Sequence, residues 1–389
     1  MGKKSAFYLI TFALVLGMFE VIGYASYFLT DDIYDHRNET LAKIDENDLA
    51  DLKGKGLDPT LGWRYYGPIT VYDCNCQDLE VEYSFDSVGA RIYSGYDGED
   101  AEIIVVGDSY THGTEVVADD TFSAQLAKIL TVSVANQAVG GYGPVQAFLN
   151  LKQKIDRYPK AKVVILGIMY ENVFRMVNSY RPVLAHKSSP YRFKPYIFQG
   201  NIMPHPGQKT LEDSDSLKEQ ANRAFDNDFW AKPKHKFPFS VSFIRAMGSN
   251  YAYFKKLFRK LRKLGVPEYF IAYRSDDFSR ELISLLDQYG QFAKQKKVRP
   301  VVVFIPRDKN DTKSVSRFIE TNRGFLHRDL LIADMGSADI DWDRYNLMNN
   351  TDPKNIKICH PSPYAHRRIA EYLADLLRRE HGWPLRKGV

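Results

Sequence analysis

Glu102-Ile-Ile-Val-Val-Gly-Asp-Ser-Tyr-Thr-His-Gly113 is the stretch that decides the fold. Its first part, Glu102 to Val106, is a short apolar run of the kind that forms a strand buried on both faces of a parallel sheet. Its second part, from Gly107, turns with residues that favour a turn and presents a hydroxyl, Ser109, at the strand's end. Thr121 to Leu130 follows with helical spacing, behind Asp119 and Asp120 as cap candidates. The alternation then continues. Strands are expected at Val132 to Ala135, Lys162 to Gly167, Arg299 to Ile305 and Leu330 to Asp334, and helices at Val145 to Ile155, Asp277 to Lys294, Lys313 to Phe325 and Tyr364 to Glu380. This order predicts an α/β three-layer sandwich around a central parallel sheet, a class that binds ligands at the carboxyl ends of its strands.

The bulk composition agrees. With 389 residues, 44% hydrophobic and 26% charged, the chain forms a core and is neither disordered nor a disulfide-stapled miniprotein. A formal charge of +5, from 53 Lys+Arg against 48 Asp+Glu, is too small to imply a nucleic-acid partner. Three cysteines make no disulfide framework, and no Cys/His spacing suits zinc, so neither metal nor cofactor is expected.

Upstream, Ser5 to Leu29 is apolar or small except for Glu20, with Lys3 and Lys4 before it and Asp31, Asp32 and Asp35 after it. As a helix at about 1.5 Å per residue it can cross a hydrocarbon core of ~30 Å. The flanking charges orient it with its N-terminus inside. Residues 1–30 are read as a single-pass transmembrane signal anchor, with a cleaved signal peptide as the alternative. Glu20 is either a polar contact to a membrane partner or a carboxylic acid that enters the bilayer neutral. Residues 31–57 are read as a stalk and 58–100 as an extension of strands and turns. The main domain is placed at 101–389, with an insertion at about 179–270. Within that insertion Phe254 to Leu264 places Phe254, Leu257, Phe258, Leu261 and Leu264 on one helical face with basic residues elsewhere. Such a helix docks on a core or lies on anionic headgroups.

The chemistry sits at the strand ends. Ser109 is the candidate nucleophile. The second strand runs into Asn136-Gln-Ala-Val-Gly-Gly-Tyr-Gly143, the third into Gly167-Ile-Met-Tyr-Glu-Asn172, and His360-Pro-Ser-Pro-Tyr-Ala-His366 precedes the last helix. A Gly-x-Ser-x-Gly elbow is excluded by Thr111, and a dinucleotide Gly-x-Gly-x-x-Gly by Gln146. Taken in order, the segments resemble the SGNH/GDSL hydrolase superfamily, whose four blocks fall on Ser109, Gly141, Asn172 and His360. Leu61-Gly-Trp-Arg and Ser87-Val-Gly-Ala-Arg91 look like the lead-in of its membrane-anchored bacterial members.

The resemblance implies a flavodoxin-like fold and acyl transfer. Ser109 would be the nucleophile and His360 the base, with the N–H groups of Ser109 and Gly141 and the Asn172 amide forming the oxyanion hole. The family's acid, three residues before the histidine, is replaced by Lys357. That leaves a dyad, a weakened enzyme or a displaced acid, for which Asp352 is the preferred candidate. Cys359 is read as a buried thiol, His112 as either a substrate contact or packing, and His366 as capping structure. The implied activity is serine-dependent hydrolysis of small acyl esters, acetyl on a cell-envelope glycan, outside the cytoplasm in the periplasm or extracellular space. The alternatives are an O-acyltransferase with an inner-membrane acyltransferase partner, and a glycan-binding module without catalysis.

Overall fold

The computed structural model describes residues 3–34, 37–52, 56–185, 188–206, 213–231, 236–249, 276–307, 309, 312–349 and 357–381. The chain divides into two compact units. One comprises Met1–Ala50, Asn178–Phe193 and Pro206–Glu268, and the other Asp51–Val177, Lys194–His205 and Tyr269–Val389.

The first unit begins with α1 (Lys3–Tyr34), whose apolar stretch Lys4–Ser26 is long enough to cross a membrane and leaves Phe7, Phe12, Leu14 and Val21 exposed. The segment read as a stalk is helical in part. It forms short helices at Arg37–Ala42 and Glu46–Leu52, with Leu49 fully buried. Arg37 donates to Asp226 and Asn222 at 2.9 and 3.0 Å, tying this segment to the helix Ser214–Asn227. The buried Asp228 carboxylate accepts from the main-chain N–H groups of Ser179 and Tyr180 and from the Asn178 amide, which fixes the start of the insertion.

The second unit holds the sheet. Ahead of it stands an antiparallel hairpin, β1 (Ile69–Cys74) and β2 (Glu80–Phe85), in register from Ile69 opposite Phe85 to Cys74 opposite Glu80. Val81, Tyr83 and Phe85 alternate inward, as a strand with one buried face requires. The sheet chain then runs β3 (Ile103–Val106), α2 (Phe122–Leu130), β4 (Val134–Asn136), α3 (Pro144–Lys154) and β5 (Val163–Met169). It resumes with α4 (Asp276–Gln295), β6 (Arg299–Ile305), α5 (Thr312–Asn322) and β7 (Leu331–Asp334). Last come the antiparallel ribbon β8 (Asn346–Asn349) and β9 (Lys357–Pro361), and α6 (Pro363–His381).

The five-stranded sheet has the order β7-β6-β5-β3-β4 and every pairing is parallel. Ile103, Val105, Val163, Ile165, Val301 and Val303 bury one face against α2 and α6. On the other face α3 and α4 meet through Phe148 and Tyr289, with rings 5.8 Å apart, and the Tyr289 hydroxyl donates to the carbonyls of Val164 and Val301. The α/β fold with helices on both faces is therefore as expected. After β3 the chain moves outward to β4 and then crosses back to β5, so the switch point lies between β3 and β5. Ser109 and Asn172 stand just beyond those two strands.

One expectation is corrected. The cap of α2 is Thr121, whose hydroxyl accepts from the Ala124 N–H, because residues 118–120 form a separate turn and Asp119 binds Ser94 instead. His360 lies ahead of the last helix. It lies within β9, and α6 starts at Pro363.

His366, on the first turn of α6, performs the capping role expected of it, with its Nδ1 accepting the Phe122 N–H at 3.2 Å and its ring stacked on Phe122. Burial, reinforced by the positive charge of Arg91, pushes its pKa down to about 3. The unfolded chain takes up a proton here below the ordinary value near 6.5, and the folded chain does not until about 3. This stabilisation is therefore complete above pH 6.5 and is lost as pH falls toward 3. We expect His366→Asn to flatten the pH dependence of stability between those limits by about 1.4 kcal/mol per pH unit, measured by denaturant unfolding.

Candidate active site

The turn that carries Ser109 is set by its neighbours. A Cβ at Gly107 would lie 2.2 Å from the Thr111 Oγ1 and 2.8 Å from the Gly167 carbonyl, so only glycine lets β3 exit here. Asp108 caps the helical turn Ser109–His112, accepting from the N–H groups of Tyr110 at 2.8 Å and Thr111 at 3.3 Å. Its second oxygen accepts from the Met169 N–H at 3.1 Å and from the Asn172 amide. One buried carboxylate thus locks the Ser109 turn to the end of β5.

The oxyanion candidates surround that lock. Asn172, fully buried, donates one amide N–H to Asp108, which fixes the plane of the amide. Gly141 has a φ of 82°, a conformation suited to glycine, in a loop held by Val139 N–H to the Gly107 carbonyl at 3.1 Å. Asn136 stitches β4 to the same turn by donating to the Thr111 carbonyl at 3.2 Å and to the Ser123 hydroxyl at 2.9 Å. Among the described residues, none accepts a hydrogen bond from the main-chain N–H of Ser109 or Gly141.

His360 reaches this turn from β9. Its ring centroid lies 5.3 Å from that of Tyr110, the residue after Ser109. The carboxylate beside His360, which sequence reasoning did not single out, is Glu115. Its Oε1 lies 3.2 Å from His360 Nδ1, and its Oε2 accepts the His360 main-chain N–H at 3.2 Å. The first contact is an ion-pair approach whose N–H direction is not aligned as a hydrogen bond. Both side chains are largely enclosed, 26% exposed for His360 and 17% for Glu115, so the pair is poorly screened.

Glu115 is held from the N-terminal extension. Its φ of 74° is left-handed, unusual for a residue with a Cβ, and persists only where the surroundings impose it. The Tyr83 hydroxyl accepts its N–H at 2.9 Å. Arg91, 1% exposed, donates to the carbonyls of His112, Gly113 and Val116 at 2.6–2.9 Å and lies over the Tyr83 ring. Burial lowers the Arg91 pKa to about 10, which still leaves it cationic at neutral pH.

The hairpin is also bonded to the histidine strand by a disulfide, Cys76–Cys359. This corrects the reading of Cys359 as a buried thiol. The two cysteines are 283 residues apart in sequence and meet only because the β1–β2 turn folds over β9. Cys74 is the exposed free thiol. Cys76, Cys359 and Glu115 place ligand atoms within 4.8 Å of one another, but the sulfurs are engaged in the disulfide, and one carboxylate does not suit a resident metal.

His112 packs, with its ring 5.4–5.8 Å from those of Tyr65, Tyr83 and Phe85. Burial holds it neutral, well below the ordinary imidazole pKa. Asp352 and the basic stretch Phe254 to Leu264 lie outside the described residues. Lys357 is the first residue of β9.

No family model matches the chain, and no curated protein does. Among solved structures it is similar to a protein described as lipolytic and of the G-D-S-L family from Desulfitobacterium hafniense, at 11% identity and TM-score 0.32, covering 71% of this chain and 98% of that one. It is also similar to an acetyl xylan esterase from the rumen bacterium Butyrivibrio proteoclasticus, at 11% identity and TM-score 0.31, covering 75% and 65% of the two chains. A salicylyl-acyltransferase from a tetracycline biosynthetic pathway follows at 12% identity and TM-score 0.30, covering 76% and 58%. At these values none of them decides the reaction.

Peptide mapping without reductant should recover Cys76 linked to Cys359, with Cys74 open to alkylation. Replacing both bonded cysteines by serine should lower stability by about 2–5 kcal/mol, measured by denaturant unfolding, whereas Cys74→Ser should leave it unchanged.

Proposed function

We propose that this chain is a serine-dependent carboxylic ester hydrolase, tethered by α1 with its catalytic unit outside the cytoplasm, that removes small acyl groups such as acetyl from a cell-envelope glycan. The observation that carries the chemistry is the convergence of the Ser109 turn, the Asn172 amide bound through Asp108, and the His360–Glu115 pair at 3.2 Å. The substrate class rests on the motif resemblance and on the topology that the flanking charges of α1 imply.

The reaction follows from these groups. Ser109 Oγ attacks the ester carbonyl and passes its proton to His360 Nε2. The N–H groups of Ser109 and Gly141 and the Asn172 amide receive the oxyanion, each commonly worth about 10²–10³ in rate. Glu115 compensates the imidazolium charge at Nδ1, and its contact aligns as that charge develops. Collapse expels the sugar alkoxide, which takes the proton from His360. Water then attacks the acyl-serine with His360 as base and regenerates the free hydroxyl. A sugar hydroxyl in place of water would give transfer by the same groups. The binding-module reading was motivated by Lys357, and Glu115 supplies the acid that Lys357 cannot.

A fluorophosphonate probe should label the wild-type chain and not Ser109→Ala. Labelling that persists in the alanine variant would mean a different nucleophile. Glu115→Gln should lower kcat for a small acetyl ester by about 10²–10⁴ with little change in KM, while Asp352→Asn costs less than about tenfold. The reverse pattern would return the acid to Asp352.

A further inference from the structure

Glu20, the one carboxylate within the apolar stretch of α1, has an intramolecular partner. Its Oε2 accepts the Phe239 N–H at 2.5 Å, and its Oε1 accepts the Ser240 N–H at 3.3 Å together with the Ser240 hydroxyl. These N–H groups open the helix Phe239–Ser249, where a helix leaves its donors unpaired and carries partial positive charge. The two helices touch close by. A Cβ at Gly23 would lie 2.6 Å from the Phe239 carbonyl carbon, and the Tyr24 and Phe239 rings are 5.1 Å apart. Neither reading of Glu20 drawn from sequence foresaw this, because the partner lies 219 residues away.

Depth follows from position. The apolar stretch ends at Ser26, so Glu20 lies six residues inside it, about 9 Å along a helix. A hydrocarbon core of ~30 Å that covers the stretch also covers this contact. A carboxylate at that depth is costly unless paired, and three donors from one helix end answer the cost. The helix that supplies them carries apolar side chains on its open side. Phe237, Val241 and Ile244 are exposed, as are Phe19, Val21 and Ile22 of α1.

We infer that residues 237–244 enter the same leaflet as the outer end of α1, with lipid acyl chains covering Phe237, Val241 and Ile244. The membrane element is then two helices pinned by Glu20, and the second helix belongs to the insertion. This rests on α1 spanning the bilayer, and on nothing about the reaction.

The test uses the full chain with Cys74→Ser, reconstituted in phosphatidylcholine vesicles, with an environment-sensitive dye on Ile244→Cys or, separately, on Phe12→Cys in α1. Both positions should show blue-shifted emission quenched by nitroxides on the acyl chains and not by aqueous iodide. Glu20→Leu should shift the 244 probe towards water and leave the probe at 12 unmoved. Iodide quenching at 244 with lipid quenching at 12 overturns the inference and leaves the anchor standing. Iodide quenching at both positions overturns the anchor, and the inference with it. A probe at 244 shielded from both quenchers means that protein covers the helix, which also overturns it.

Discussion

The geometry of the candidate site hangs on the Asp108 carboxylate. It is 2% exposed and accepts from four N–H groups, those of Tyr110 and Thr111 on its own turn, and of Met169 and Asn172 at the end of β5. A buried carboxylate without donors would cost several kcal/mol, so the four donors and the charge hold one another in place. The consequence is local rigidity at the switch point of the sheet, where the Ser109 turn and the Asn172 amide are held together. Gly107 and Gly167 make the same junction possible sterically, since Thr111 packs against both backbones.

The opposite wall is built differently. His360 sits on a two-stranded ribbon outside the parallel sheet, and the N-terminal hairpin steadies it. The disulfide joins that hairpin to the residue before His360, the Tyr83 hydroxyl holds the Glu115 N–H, and Arg91 gathers three carbonyls around the Glu115 turn. A guanidinium buried to this degree is costly unless its donors are used, and here the two terminal nitrogens bind the three carbonyls while Nε has no partner among the described residues. Residues of the hairpin and the strand that follows it thus help to build the candidate site.

The sheet was legible because strands buried on both faces are apolar runs bounded by turn residues. β6 falls on Arg299–Ile305 as expected, and β3 begins one residue later than expected. Ser109, Gly141, Asn172 and His360 could be singled out as candidates because they sit in short local motifs. Glu115 could not be, since it meets His360 across 245 residues, and its left-handed φ falls in a turn closed by the Val116 N–H on the Gly113 carbonyl where glycine is the usual residue. The Cys76–Cys359 pairing was hidden by the same long separation. Arg91 lay within a recognisable lead-in, but its role needed the carbonyls that surround it.

The central claim is that Glu115 is the charge facing His360 Nδ1. The direct measurement is proton NMR of the ¹⁵N-histidine-labelled chain carrying a phosphonate on Ser109, in which His360 is doubly protonated. The account predicts a strongly downfield Nδ1–H resonance that disappears in Glu115→Gln and survives in Asp352→Asn. A resonance that survives in Glu115→Gln, or disappears in Asp352→Asn, would contradict it.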